Sequence, residues 1–211
     1  MGPLLFLIFI NDIDKGIVNK LLKFADDTKL AGTVSSECEI NQVHSDLKQL
    51  YDWSVDWQML FNADKCKVLH FGYKNMSNIY TLGNEVINAE NEEKDLGVIV
   101  IDTLKPSSQC IAAAKSAKKT LGIIKKIFVN RDSEIISKLY QSLVRPKLEY
   151  CVQAWRPYLN KGNDLLEKVQ NRATQTRLMT KDRSLSYEER LQRLGHLPYI
   201  TGDQKTTRRS N

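Results

Sequence analysis

Residues 22–31 read LKFADDTKLA, two short apolar runs that meet at Asp26 and Asp27. Adjacent carboxylates repel and gain nothing from burial, so the pair predicts a turn that projects both into water. With strands over 21–25 and 28–32, the stretch reads as a tight hairpin carrying Asp26 and Asp27 at its tip. Concentrated carboxylate charge of this kind is matched by hard divalent cations such as Mg²⁺. Two such ions can clamp the attacking and leaving oxygens of a phosphoryl transfer. An isolated Asp pair equally suits a polar turn whose carboxylates cap local N–H groups. The residues by themselves leave both readings open.

Outward from the hairpin, helix and strand signals alternate. Ser36 and Glu39 have the spacing of a capping box, and Ile40, Val43, Leu47, Leu50, Tyr51 and Trp57 recur at helical intervals behind it. KVLHFG, residues 67–72, predicts a strand; YTLGNEVI predicts a hairpin turning at Gly83 and Asn84; KDLGVIVI, 94–101, predicts a single strand apolar enough to be central. From about residue 107 the pattern is helical. Ile111, Ala114, Ala117, Leu121, Ile124 and Phe128 form one apolar series, Ile135, Ile136, Leu139 and Leu143 a second, and Leu165, Leu166 and Val169 a third. The fold class predicted is α+β, with a sheet-bearing part over 1–104, a helical part over 105–195 and a polar tail, 196–211, expected to be disordered.

Charge divides the chain in the same way. Residues 1–100 carry nine Lys, no Arg and fifteen acidic residues, a balance of −6, whereas residues 101–211 carry 22 basic and ten acidic residues, a balance of +12. The first part is suited to cations and the second to phosphates, although two ordinary solvated faces would give the same split. Cys38, Cys66, Cys110 and Cys151 include no CxxC pair, so they offer no zinc or redox spacing, and a reducing, intracellular setting is expected. The N-terminal MGPLLFLIFIND has no basic lead and is too short to span a bilayer. It reads as a buried helix or strand, and no membrane partner is expected. Within NDIDKG, Asp12 and Asp14 precede Gly16, but the further acids of a calcium loop are missing. His44, His70 and His196 have no ligand spacing, and Trp53, Trp57 and Trp155 read as core or interface residues.

Five segments in order, GPLLFLIFINDID, LLKFADDTKL, FNADKCKVLHFG, KDLGVIV and SLVRPKLEYCVQAWRPYL, carry a resemblance. Together they resemble the reverse transcriptase of non-LTR (LINE-type, jockey-like) retrotransposons, from Gly2 to about Gly195. The ordered set is distinctive; FADD alone is not.

The resemblance implies a partial polymerase palm, an antiparallel sheet with a helix, followed by an all-α thumb. Gly2 and Pro3 resemble the end of the motif beneath the incoming nucleotide and template. Phe24, Ala25, Asp26 and Asp27 match the palm tetrad, with Asp26 as metal ligand and Asp27 as ligand or electrostatic support. Asn62 and Lys65 match the next palm motif, Asn62 near the nucleotide and Lys65 as proton donor to the leaving pyrophosphate. Lys94, Leu96 and Gly97 resemble the segment that grips the primer. Lys115, Lys118, Lys119, Lys125, Lys126, Lys168, Arg172 and Arg177 would face the backbone of an RNA template and DNA primer duplex. The family also has a further catalytic Asp and the fingers upstream of the Gly2 motif, and an endonuclease, none of which is found in these residues. The resemblance therefore implies RNA-directed DNA synthesis that needs those parts, with a two-Mg²⁺ site expected only in the intact polymerase, in the nucleus or cytoplasm. The alternative is a noncatalytic nucleic-acid-binding remnant.

Overall fold

The computed structural model describes residues 2–73, 75–128, 133–158, 160–175 and 184–194. The expected tail 196–211 lies outside them. The chain divides into two compact units between Glu93 and Lys94.

The first unit opens with helix α1, Gly2–Phe9, followed by a 3₁₀ turn at Ile10–Asp12. The expectation of a buried N-terminal segment is corrected here. No residue of α1 is buried, and Leu4, Leu5, Leu7 and Ile8 are exposed. The burial begins one turn later, where Ile10 and Ile13 meet Leu50 in a small core. Strands β1, Lys20–Phe24, and β2, Asp27–Ala31, form an antiparallel ribbon that pairs with no other described strand. Helix α2, Glu37–Asp56, starts at the capping box, where the Glu39 N–H donates to Ser36 Oγ and the Ser36 N–H donates to the Glu39 carboxylate. Its apolar face covers two clusters. Leu50 joins Ile10 and Ile13, while Val43, Leu47 and Tyr51 pack on Tyr80, Leu82 and Ile87.

Those last residues belong to a second sheet, built of β3, Lys67–Leu69, β4, Tyr80–Leu82, and β5, Glu85–Glu90, in the order β3-β5-β4. β4 and β5 are the expected hairpin through Gly83 and Asn84, whereas β3 runs parallel to β5. The sheet is thus mixed, where the resemblance implied antiparallel pairing throughout.

At the division, the predicted strand over 94–101 is corrected to a hairpin. β6, Glu92–Asp95, and β7, Val98–Ile101, flank a turn in which Leu96 and Gly97 both have positive φ, 44° and 85°. Two successive positive φ values are what a type I′ turn requires, and Gly supplies one of them without strain.

The second unit is helical. α3, Ser107–Ile127, packs along α7, Asn160–Thr174, and α8, Tyr187–Leu194, closes on α7. Between them lie α4, Ser133–Leu139, α5, Arg145–Glu149, and the short α6, Val152–Trp155. Residues Tyr140–Val144 join α4 to α5 as a π-helical turn. Pro146 explains the widening: it has no N–H to donate, and its ring would strike the Ser142 carbonyl in a regular helix. The turn places Tyr140 and Val144 wholly inside.

The core joins Cys110, Ala113, Ala114, Ala117, Leu121 and Ile124 of α3 to Ile136, Tyr140, Val144, Leu148, Leu166, Val169 and Ala173. Three members of the predicted apolar series are corrected: Ile111, Ile135 and Leu143 are exposed. Along α3 the inward line runs through Cys110 and Leu121, eleven residues or three turns apart, and Ile111 is rotated about 100° from it.

Candidate functional site

The carboxylate hairpin closes one residue earlier than the sequence suggests. Phe24 pairs with Asp27, Lys23 with Thr28 and Leu22 with Lys29, so the two-residue loop is Ala25 and Asp26. Ala25 has φ of 52° and Asp26 does not share the positive sign, the pattern of a type II′ turn. Asp26 therefore stands in the loop and Asp27 opens β2.

Strand alternation then assigns the faces. Leu21 and Leu30, on one side, pack against the Ile10–Ile13–Leu50 cluster. Lys23 shares that side and ties the strand down, its ammonium donating to the Asn11 carbonyl at 3.0 Å and pairing with Asp14 at 3.2 Å. The other side, with Leu22, Phe24 and Asp27, is exposed. Phe24 is 63% exposed. Both Asp26 and Asp27 are exposed, and neither carboxylate has a hydrogen-bond or ion-pair partner among the described residues. Asp12 and Asp14, by contrast, are engaged: Asp12 accepts from the Trp53 indole at 3.2 Å and pairs with Lys15 at 3.4 Å.

Two hard-oxygen carboxylates on consecutive residues, neither with a partner among the described residues, suit Mg²⁺ in donor chemistry. They are only part of a ligand set, because no group of three or more His, Cys, Asp or Glu converges among the described residues.

The root of the hairpin is held by a residue that sequence reasoning missed. Asp46 of α2 is fully buried. Its carboxylate accepts from the Val18 N–H at 3.2 Å, the Asn19 N–H at 2.8 Å, Asn19 Nδ2 at 2.9 Å and Gln42 Nε2 at 2.9 Å. Burial pushes this carboxyl up, but the donated hydrogen bonds outweigh it and hold the group below its ordinary value. The sequence signal was a charged residue three after Val43 and four before Leu50, on the helix face expected to be apolar. Since the folded value lies below the unfolded one, this contribution to stability is complete above about pH 4 and is lost as pH falls through the folded value. The Asn19 amide resonance, followed from neutral pH downwards, should hold its position until the acid side of about pH 4 and then move together with those of the hairpin.

The remaining assigned residues are placed as follows. Gly2 and Pro3 begin α1 and are exposed. Asn62 precedes a 3₁₀ turn, Ala63–Lys65, and its carbonyl accepts from the Lys65 and Cys66 N–H groups; its side chain makes no cap. Lys65 is exposed and makes no ion pair among the described residues, with Asp26, Asp27 or any other acid. In the second unit Lys94 is exposed on β6, and the Leu96–Gly97 turn is fastened by Tyr150, whose hydroxyl donates to the Leu96 carbonyl at 2.9 Å. A Cβ on Gly97 would come within 3.1 Å of the Tyr150 ring.

Lys115, Lys118, Lys119 and Lys126 are exposed on α3, and Lys168 and Arg172 on α7. Lys115, Lys119 and Lys126 project opposite the buried line, whereas Lys118 and Lys125 flank it. Burial pushes the half-buried Lys125 ammonium down, and the neighbouring Arg172 guanidinium adds to the shift. Arg177 lies outside the described residues. Trp155 is buried and its indole donates to the Tyr150 carbonyl at 2.8 Å; Trp53 and Trp57 cluster with Phe9. No described helix is long and apolar enough to cross a membrane.

The class of protein that this chain is similar to is the RNA-directed DNA polymerase of a mobile element. It is 24% identical over 189 residues to the RNA-directed DNA polymerase from mobile element jockey of Drosophila funebris, an alignment covering 80% of this chain and 20% of that protein. The chain thus spans about a fifth of the length of the curated relative it matches. No protein-family model and no solved structure matches the chain.

Proposed function

We propose that the chain is a palm-and-thumb portion of a retrotransposon reverse transcriptase and serves RNA-directed DNA synthesis. The observation that carries the reading is the Asp26–Asp27 tip: two unpaired carboxylates on a hairpin fastened at its root and mid-strand, in a chain similar to a jockey polymerase. Asp26 and Asp27 would hold Mg²⁺. Held there, the ion would supply positive charge to offset that on the oxygens of the transferred phosphoryl group. Phe24 and Ala25, with Gly2, Pro3 and Asn62, would line the nucleotide and template side, and Lys65, unpaired and exposed, is available to protonate the leaving pyrophosphate. Lys94 and the Tyr150-fastened turn at Leu96 and Gly97 would bear on the primer. The test is primer extension on an RNA template by a longer polymerase that contains this segment, with and without Asp26. Incorporation indifferent to Asp26→Ala would end the reading.

A second reading, nucleic-acid binding without catalysis, is favoured by the exposed lysines of α3 alone. Both readings require phosphate contacts from Lys115, Lys119 and Lys126. For about four neutralised phosphates, log K for a DNA or RNA duplex should fall with log salt at a slope of roughly −3 to −4, with little sequence preference. The triple change of those lysines to Glu should flatten the slope, as read by a fluorescence-anisotropy titration. Binding that is insensitive to salt would remove the duplex-facing role of α3.

A further inference from the structure

Nothing in the resemblance or in the similarity to the jockey protein assigns a role to Asp46, yet every hydrogen bond it makes beyond its own helix among the described residues runs to the base of the carboxylate hairpin. Val18 and Asn19 immediately precede β1, and their two N–H groups and the Asn19 amide all donate to one buried carboxylate on α2. The other end of the ribbon meets the same helix. A Cβ on Gly32, directly after β2, would come to 2.7 Å from Asn19 Oδ1 and 2.8 Å from Val43 Cγ2. Both feet of the hairpin thus stand on one stretch of α2, the first by hydrogen bonds to a charge and the second by an approach that only the absence of a side chain permits.

We propose that Asp46 is a positioning residue for the Asp26–Asp27 tip, with Gly32 as its steric counterpart on the second strand; the proposal rests on the metal-site reading of that tip. The ribbon pairs with no other described strand, so nothing in a wider sheet fixes its direction. Five residues of β1 separate root from tip. At about 3.4 Å per residue the arm is about 17 Å long, and a rocking of about 5° at the root would carry the carboxylates about 1.5 Å. Displacements of about 1 Å in reacting groups are costly in rate. Lys23 restrains the middle of the arm through the Asn11 carbonyl and Asp14, but the exposed side of Asp14 leaves that pair in water, where it is weak. The buried four-donor carboxylate is the stiffer hold.

Asp46→Asn keeps the shape and replaces one acceptor oxygen by a donor that must oppose N–H groups. The measurement is residual dipolar coupling on the full 211-residue chain, comparing amides of 20–31 with those of 37–56. In the unchanged protein both sets should fit one alignment tensor. In Asp46→Asn the hairpin couplings should shrink at least about twofold, and hairpin exchange should rise about ten- to a hundredfold, with the α2 couplings retained. Asn19→Asp added to Asp46→Asn turns the opposed donor into an acceptor and should restore part of the couplings, which a merely destabilising change would not do. Gly32→Ala acts from the second strand and should shrink the hairpin couplings by itself, and it decides the matter if Asp46→Asn does not fold. Hairpin couplings unchanged in the variants, or lost evenly across α2 and the hairpin, would overturn the proposal. Mn²⁺ broadening of the Ala25–Asp27 amides in the unchanged protein is read separately; its absence would count against the metal site, while the couplings alone decide whether Asp46 anchors the hairpin.

Discussion

Asp26→Ala, placed in a longer polymerase that contains this segment, is expected to bring nucleotide incorporation on a primed RNA template to background. Asp26 is a loop residue of the turn, and beyond Asp27 no third acidic group converges on the tip among the described residues to take its place. If Asp26 holds Mg²⁺ as proposed, removing it would delete charge stabilisation realised mainly as the phosphoryl group transfers, and comparable electrostatic deletions cost on the order of 100-fold or more in rate. Asp27→Asn keeps the side-chain shape at the first position of β2 and removes only the charge, so a strong but lesser loss is expected. Residues 1–211 by themselves should incorporate nothing. Each Mg²⁺ takes about six oxygens in near-octahedral array, and two carboxylates with no third converging group among the described residues do not fix two such ions. Incorporation by the 211-residue chain, or an unaffected Asp26→Ala polymerase, would refute the assignment.

Leu148→Ala is expected to produce the largest loss of stability in the helical unit. Leu148 is fully buried on α5, packed among α3 and the π-turn. Its truncation removes apolar contact and leaves a cavity in a core that gives way only partly, a cost of about 2–5 kcal/mol. For a unit of this size that lowers the melting midpoint by roughly 10 °C or more. Ile111→Ala is the paired control. Ile111 is 59% exposed, so its truncation should stay within about 0.5 kcal/mol. Thermal melts followed by circular dichroism check both. A large effect at Ile111 with a small one at Leu148 would mean that α3 turns a different face to the core.

The elements legible in the sequence were those whose cause lies within a few residues. The Ser36–Glu39 box starts α2 because each partner satisfies an N–H that the first helical turn leaves without an acceptor. The turn at Gly83 and Asn84 was legible from its two residues and the flanking strands, although the glycine also makes room for the Tyr51 ring of α2, which a Cβ there would strike. The Leu96–Gly97 turn escaped because VIVI continues an apolar run, and periodicity does not distinguish one buried strand from the second arm of a hairpin. The helical periodicity of α3 was plain, but which of several apolar residues faced inward depended on α7 and α5. Ile111 stays exposed because the buried line of α3 runs through the small residues Cys110, Ala113, Ala114 and Ala117, which share one core with Leu148 of α5 and Leu166 and Val169 of α7.

For the candidate site the division is similar. Sequence alone determined that Asp26 and Asp27 would stand at a hairpin turn, since two adjacent carboxylates between short strands have no favourable place except in water. It also determined the opposed charges of the two parts and the basic residues along α3. Tertiary structure decided the register, which puts Asp26 in the loop and Asp27 on the exposed face beside Phe24, because Leu21 and Leu30 must turn inward to Ile10, Ile13 and Leu50. It alone decided that Asp46, 20 residues after Asp26, would hold the hairpin's root. A buried carboxylate must be satisfied, and the donors that satisfy it, Val18 and Asn19, come from a part of the chain that only folding brings beside α2.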